Sequence, residues 1–324
     1  MLRTALFAIS TAAMLAGSAA LAADYPDRPI TLICPFAPGG TSDTLARLFA
    51  AEMSKDLGQT IVVENRAGGA GVVGSQIAAE AKPDGYTLLV GDLGPLVIAP
   101  LAKSDLPYKP SDFVPVFNFA NVSNAIVVNS GLGVKTIPDL VALAKAKPGS
   151  INFSSGGVGT PSHFSGAMFA VLAGIGKDVV HVPYNGGANA AVAAASGEVQ
   201  YYGGPLAGNM MGVIDAGQVV ALGVTGGKRV AAIPDVPTFA EAGLPDFNVV
   251  AWYGIFALAG TPPEIIEKIN AAGNRATESP ALIAALATQG IEPIKNTPEE
   301  YGAQWKQDAE AYGKLVAEGA VTFE

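Results

Sequence analysis

The chain has 324 residues and a formal net charge of −9, from 19 Lys and Arg against 28 Asp and Glu. With no basic stripe and no Lys/Arg cluster, it offers nothing to a nucleic-acid backbone or an anionic lipid surface. Its one cysteine, Cys34, cannot form an intramolecular disulfide, so the fold must rest on packing.

The chain opens MLRTALFAISTAAMLAGSAALAADYP. Arg3 precedes an unbroken small or apolar stretch over residues 6–16, and Ala20, Leu21 and Ala22 form a small-x-small cleavage site. This pattern predicts a secretory signal peptide over residues 1–23 and a mature protein in the periplasm. The apolar core is too short for a comfortable membrane anchor, and no later segment reaches the ~18 apolar residues a span needs. What remains is long enough for two domains with real cores. Cys34 lies well past the cleavage site in the strand-like run ITLIC, which excludes lipid attachment and predicts a buried, inert thiol.

The run LICPFAPGGTSDTLARLF follows, an apolar segment ending in a Pro- and Gly-rich loop that leads straight into a helical pattern at residues 44–56. Such a loop sets backbone N–H groups and a helix N-terminus where an anion can sit. The contacts are expected from the N–H groups of Gly39 to Ser42 and from the hydroxyls of Thr41 and Ser42. Asp43 reads first as a helix N-terminal acid. Next, GGAGVVGS matches G-x-G-x-x-G at Gly69, Gly71 and Gly74, with Asp92 at the end of a later strand. This outlines a dinucleotide fingerprint. But ENRA separates the first glycine from the preceding strand, and an exported protein has no ready supply of nicotinamide cofactor. The glycines are better read as allowing close helix–strand approach, and no cofactor is expected.

Strand-like runs (YTLLVGD, AIVVNS, INFSS, VVHVPY, VQYYGG, VVALGVTG, WYGIFALAG) continue to alternate with helical patterns at residues 73–82, 138–145, 165–172 and 188–195. That alternation predicts an α/β protein with parallel sheets flanked by helices. Function in such sheets sits at the carboxyl ends of strands. Here those ends carry PFAPGGTSD, GDLGPL, SSGGVGTPSH, PYNGGAN and YYGGPLAGN, and several of these loops are expected to converge on one cleft. Composition splits the chain into residues 123–225, a self-contained unit, and residues 24–122 with 226–324, which together form the other. Two crossings between them make a hinge. The end of the chain is mostly helical, with Thr261–Pro262 and Thr297–Pro298 as helix-start signals.

Catalytic constellations are sparse. The chain lacks G-x-S-x-G and H-E-x-x-H, and its two histidines, His163 and His181, read as structural. A serine or threonine, Ser155 or Thr160, with His163 as base is the enzymatic alternative. A subunit that presents ligand to a membrane sensor would use the same cleft.

Taken in order, YPDRPITLICPFAPGGTSDTLAR, VVENRAGGAGVVGSQIAA, PDGYTLLVG, INFSSGGVGTPSHFSGAMF, HVPYNGGANAAVAAASGEV, GVTGGKRVAAIPDVPTFAEAGLPDFNVVAWYGIFALAGTP and TPEEYGAQW resemble the Bug family of extracytoplasmic solute receptors. These are the binding components of tripartite tricarboxylate transporters. The resemblance covers nearly the whole mature chain. It implies a monomeric two-lobed periplasmic binding protein, a Venus flytrap with a helix-flanked sheet in each lobe. The implied ligands are small organic anions, mono-, di- or tricarboxylates, amino acids or aromatic acids, delivered to membrane subunits. It places Pro38, Gly39, Gly40, Thr41, Ser42 and Asp43 in a first-lobe clamp and Ser155, Gly156, Gly159, Thr160 and His163 in a second-lobe clamp. Asp92, Leu93, Tyr184, Asn185, Tyr202 and Gly203 would line the cleft between them. Asp92 and the pair Tyr201–Tyr202 depart from the commoner family pattern and mark the loops expected to set ligand identity. Because neighbouring strand residues face opposite sides, only one of the two tyrosines can point into the cleft.

Overall fold

The computed structural model describes residues 25–207 and 209–317; the expected signal peptide lies outside them. β1 (Ile30–Cys34), β2 (Ile61–Asn65) and β3 (Thr87–Asp92) are parallel neighbours, with β1 in the middle. β4 (Phe113–Asn129) is a 17-residue strand. Further on, β5 (Ile151–Ser155), β6 (Val179–Pro183) and β7 (Tyr201–Pro205) form a second parallel set, and β8 (Val219–Val224) and β9 (Val250–Leu258) complete the sheet. The strand order is β2-β1-β3-β9-β4-β7-β5-β6, with β8 also on β4.

β4 serves two sheets. From Phe113 to Ser123 it pairs with β9, and from Asn124 to Asn129 it pairs with β7 and β8. All pairings of β4 and β9 are antiparallel, which corrects the expectation of purely parallel sheets. The expected strand AIVVNS is only the far end of β4. Its earlier half, FVPVFNFANVS, is hidden in the sequence by Pro115, Asn118 and Asn121. Pro115 and Asn118 sit where the register shifts, at irregularities that tolerate a missing donor or a local turn.

Helices cover both faces. α1 (Thr41–Leu57) buries Leu45, Phe49 and Met53, and Phe49 stacks on Phe119 with ring centroids 4.7 Å apart. α2 (Val72–Ala79) packs close to the first sheet. In the second sheet α3 (Pro161–Leu172) and α4 (Gly187–Ser196) take the equivalent places. α5 (Pro263–Ala276) lies on α1 and β4. α6 (Pro298–Ala317) is the last described helix, where the Trp252 indole donates to Asp308 Oδ2 at 2.8 Å. Thr297 does cap α6, exchanging side-chain bonds with Glu300. Thr261 does not cap α5, which begins one residue later than expected, after Pro262. In the second core Phe169 meets Phe239 and Phe247, so part of the segment after β8 still packs on that sheet. Cys34 is fully buried, and burial pushes its thiol up to about 12, which leaves it unreactive.

In GGAGVVGS, Gly69 and Gly71 turn the chain at φ +56° and +96°, and Gly74 is required by packing. A Cβ on Gly74 would lie 2.7 Å from both the Arg66 carbonyl oxygen and Pro35 Cα, so only glycine lets α2 approach β1 this closely. Replacing Gly74 with Ala must move backbone. We expect Gly74→Ala to destabilise the protein by about 2 kcal/mol, read as a Tm lowered by a few degrees with ligand binding retained.

Candidate functional site

Three strand–loop–helix junctions meet at one cavity of about 120 Å³ between the two sheets. The first is the loop after β1. Gly39 turns the chain at φ +84° and donates its N–H to Asp43 Oδ2 at 3.0 Å. Asp43 Oδ1 accepts from Arg47 Nε and Asn65 Nδ2, both at 2.9 Å, and Asn65 also donates to the Phe36 carbonyl. Burial works to raise the Asp43 pKa, but the Gly39 N–H, Arg47 and Asn65 outweigh it and hold the carboxyl below its usual range. Gly39 and Asp43 therefore shape the loop and do not line the cavity, whereas Pro38, Gly40, Thr41 and Ser42 do. Gly40 caps α1 without a side-chain acceptor, and the first helical bond runs from Thr44 N to Gly40 O at 3.0 Å. Helix geometry leaves the N–H groups of the first turn without intrahelical acceptors.

Asp92 ends β3 and lines the cavity at 2% exposure. Its Oδ2 accepts from Ser42 Oγ at 3.2 Å and its Oδ1 from Gly94 N at 2.8 Å. Burial pushes this carboxyl up to about 7 despite both bonds. Leu93, next in sequence, is fully buried in the core and does not line the cavity.

The second junction follows β5. Thr160 caps α3, accepting from His163 N at 3.3 Å and donating to the Gly157 carbonyl at 2.7 Å. Gly156 donates to Ser162 Oγ at 2.9 Å. Gly156, Thr160 and Ser162 line the cavity; Ser155, Gly159 and His163 do not. Instead Gly159 donates to His163 Nδ1 at 3.3 Å, and Ser155 Oγ is hydrogen-bonded to His181 Nε2 at 2.6 Å. The two imidazoles stack with centroids 4.1 Å apart, and Phe153 stacks on His181 at 4.8 Å. Burial, joined for His163 by the neighbouring His181, lowers both to about 4, so both are neutral at physiological pH. The loop thus rests on a stacked aromatic base, and Ser155, one of the two hydroxyls that the enzymatic alternative set beside His163, pairs with His181 away from the cavity.

The third junction follows β6. Tyr184 N donates to Ser155 O at 2.8 Å and Gly186 N to Gly156 O at 3.2 Å, which zips the second and third loops together. Asn185 lines the cavity and Tyr184 does not. Gly186, at φ +97°, caps α4 with no side-chain acceptor, and Gly187 and Asn189 of the first turn line the wall. From β7, Tyr202 faces the cavity, with Ser162 near its hydroxyl. Tyr201 points the other way, donating to the Gly166 carbonyl at 3.2 Å. Gly203 packs on α3, where a Cβ would come within 2.9 Å of Gly166 Cα, and is not part of the wall.

Ser162, Asn189, Met210 and Tyr253 also line the cavity. Asn189, a short amide in the first turn after a glycine pair, is the one a sequence signal could have singled out. Tyr253 comes from β9 and reaches the site only because β9 pairs with β3 opposite Asp92, and Thr41 lies near its hydroxyl. No Lys, Arg or His is among the lining residues. Positive potential comes from helix N-termini, each worth roughly half a unit charge. Such a cavity can hold an anion by backbone and hydroxyl groups.

Residues 45–319 match the model of the tripartite tricarboxylate transporter family receptor. Protein BugT of Bordetella pertussis is 36% identical over 284 residues, covering 85% of this chain and 84% of that one. Among solved structures, Rpa4515 of R. palustris with adipate superposes with a TM-score of 0.86 at 32% identity, covering 92% of this chain and 98% of that one. MatC (Rpa3494) from Rhodopseudomonas palustris with bound malate superposes with a TM-score of 0.84 at 32% identity, covering 90% and 100%. The chain therefore belongs to the tripartite tricarboxylate transporter receptor family and is a two-lobed solute-binding protein, not an enzyme.

Proposed function

We propose that this receptor works in the periplasm, where it captures a small organic carboxylate between its two lobes for the membrane subunits of a tripartite tricarboxylate-type transporter. The observation that carries this reading is the convergence of three helix N-termini on one cavity whose wall holds no cationic side chain. Two of those helices, α1 and α4, start at glycines with no side-chain cap, which leaves the helix end open to a ligand oxygen. Adipate and malate in two related receptors are ligands of the same chemical class. The signal-peptide pattern supports the location, and no helix among the described residues is long and apolar enough to cross a membrane.

In this reading residues 24–122 belong to one lobe together with the chain from β9 onward, and residues 123–225 to the other. The crossings fall at Ser123–Asn124, where β4 changes partners, and between Thr225 and Val250. The lobes act as one monomeric clamp. Gly40, Thr41 and Ser42 close from one side, and Gly156, Thr160, Asn185 and Tyr202 from the other. Closure is favoured because the ligand contacts both lobes only in the closed state.

Native mass spectrometry of freshly purified protein, followed by identification of what denaturation releases, tests the class. One small carboxylate per chain is the expected result; an empty protein that no organic acid stabilises thermally would overturn it. Two substitutions test the clamp. A Cβ at Gly156 would lie 2.8 Å from Gly187 N, so Gly156→Val displaces the start of α4. We expect a loss of binding of at least about tenfold (~1.4 kcal/mol) by calorimetry, with an unchanged circular dichroism spectrum. Thr41→Ala, which removes one hydroxyl, is expected to weaken binding about fivefold, the worth of one hydrogen bond near 1 kcal/mol.

A further inference from the structure

The wall of the cavity contains one acidic residue, Asp92, and no basic one. Its carboxyl is held by two donors, Ser42 Oγ and Gly94 N, both suited to an ionised acceptor. A carboxylate accepts about four hydrogen bonds, so capacity remains toward the cavity. Every titratable group that influences it from the surrounding elements is neutral. Tyr253 stands opposite on β9, Tyr301 comes from α6, Tyr108 from the segment before β4, and Cys34 from β1, and burial raises the pKa of each. Among the described residues no counter-ion stands against Asp92. Its position beside the start of α1 also offsets the positive end of that helix. The ends of α3 and α4 across the cavity have no acid against them.

We propose that Asp92 makes this receptor selective for carboxylates that also carry a protonated amine. The amine pairs with Asp92, and the ligand carboxylate sits against the N-termini of α3 and α4. This rests on the carboxylate reading above and names the ligand class within it. The ligand supplies the counter-charge that the cavity lacks, and an acid without an amine meets repulsion from Asp92 unless that group is protonated.

The pH dependence follows. The carboxyl titrates near about 7, against 3.8 for an exposed aspartate. A folded-state pKa raised this way favours the empty fold fully below about pH 4, and that advantage is lost as pH rises through 7. Asp92→Asn is therefore expected to raise the Tm of the ligand-free protein at about pH 8 and to leave it unchanged at about pH 4, which also shows that the variant folds.

Calorimetry at about pH 8 with matched acids decides the proposal: β-alanine against propionate, 4-aminobutyrate against butyrate, glutamate against glutarate. In at least one pair the amine-bearing acid should bind the unmodified protein at least about tenfold more tightly. Asp92→Asn should abolish that preference, and in the unmodified protein the preference should shrink as pH falls from about 8 to 5. Equal or tighter binding of the amine-free acids at about pH 8 overturns the assignment and makes Asp92 a proton-bearing donor instead. If neither kind of acid binds, the carboxylate reading fails, and the Asp92 assignment fails with it.

Discussion

A cavity that must attract an anion without arginine or lysine has only the main chain to do it with. A helix end contributes roughly half a charge, and only within its first turn. Several helices must then start at the same place; α1 and α4 do so with starts free of a capping side chain, while Thr160 caps α3. This constraint explains why glycine rather than Ser, Thr or Asp stands at the caps of α1 and α4. It also explains why β1, β5 and β6 all direct their carboxyl ends toward one point between the sheets. Each loop must be held firmly, because a wandering dipole attracts little. Asp43 braces the first loop through Gly39, Arg47 and Asn65, and the stacked Phe153, His181 and His163 support the second.

The convergence depends on β4 and β9. Because β4 runs through both sheets, from Phe113 to Ser123 in the first and from Asn124 to Asn129 in the second, the two sheets share a spine and their strand ends can face each other. β9 then runs antiparallel between β3 and β4 and carries Tyr253 to the cavity beside Asp92.

Two buried aspartates show how environment divides one chemistry into two roles. Asp43 and Asp92 are 4% and 2% exposed. Asp43 has Arg47 at 2.9 Å and stays ionised as a structural brace. Asp92 has only neutral donors, and its pKa rises to about 7. A charge without a counter-ion is costly when buried, which leaves Asp92 sensitive to whatever enters the cavity.

The sequence by itself determined the α/β class, the glycine loops at strand ends, the absence of cationic clusters and the family. These depend on local chemistry: alternating strand and helix patterns, glycines that free the backbone, and missing cationic clusters. It also marked Asp92 and Tyr202 as departures, and it reduced the two tyrosines to one in the cleft through strand alternation. Which loop residues line the cavity was decided by the tertiary structure. Gly39, Asp43, Ser155, Gly159 and His163 sit in the expected loops but turn inward to hold them, because a tight loop needs its own hydrogen-bond partners. The long first half of β4, the antiparallel course of β9 and the approach of Tyr253 to Asp92 were likewise beyond the sequence. They arise from pairings between segments more than a hundred residues apart, and neither spacing nor periodicity along a chain records which distant strands will meet.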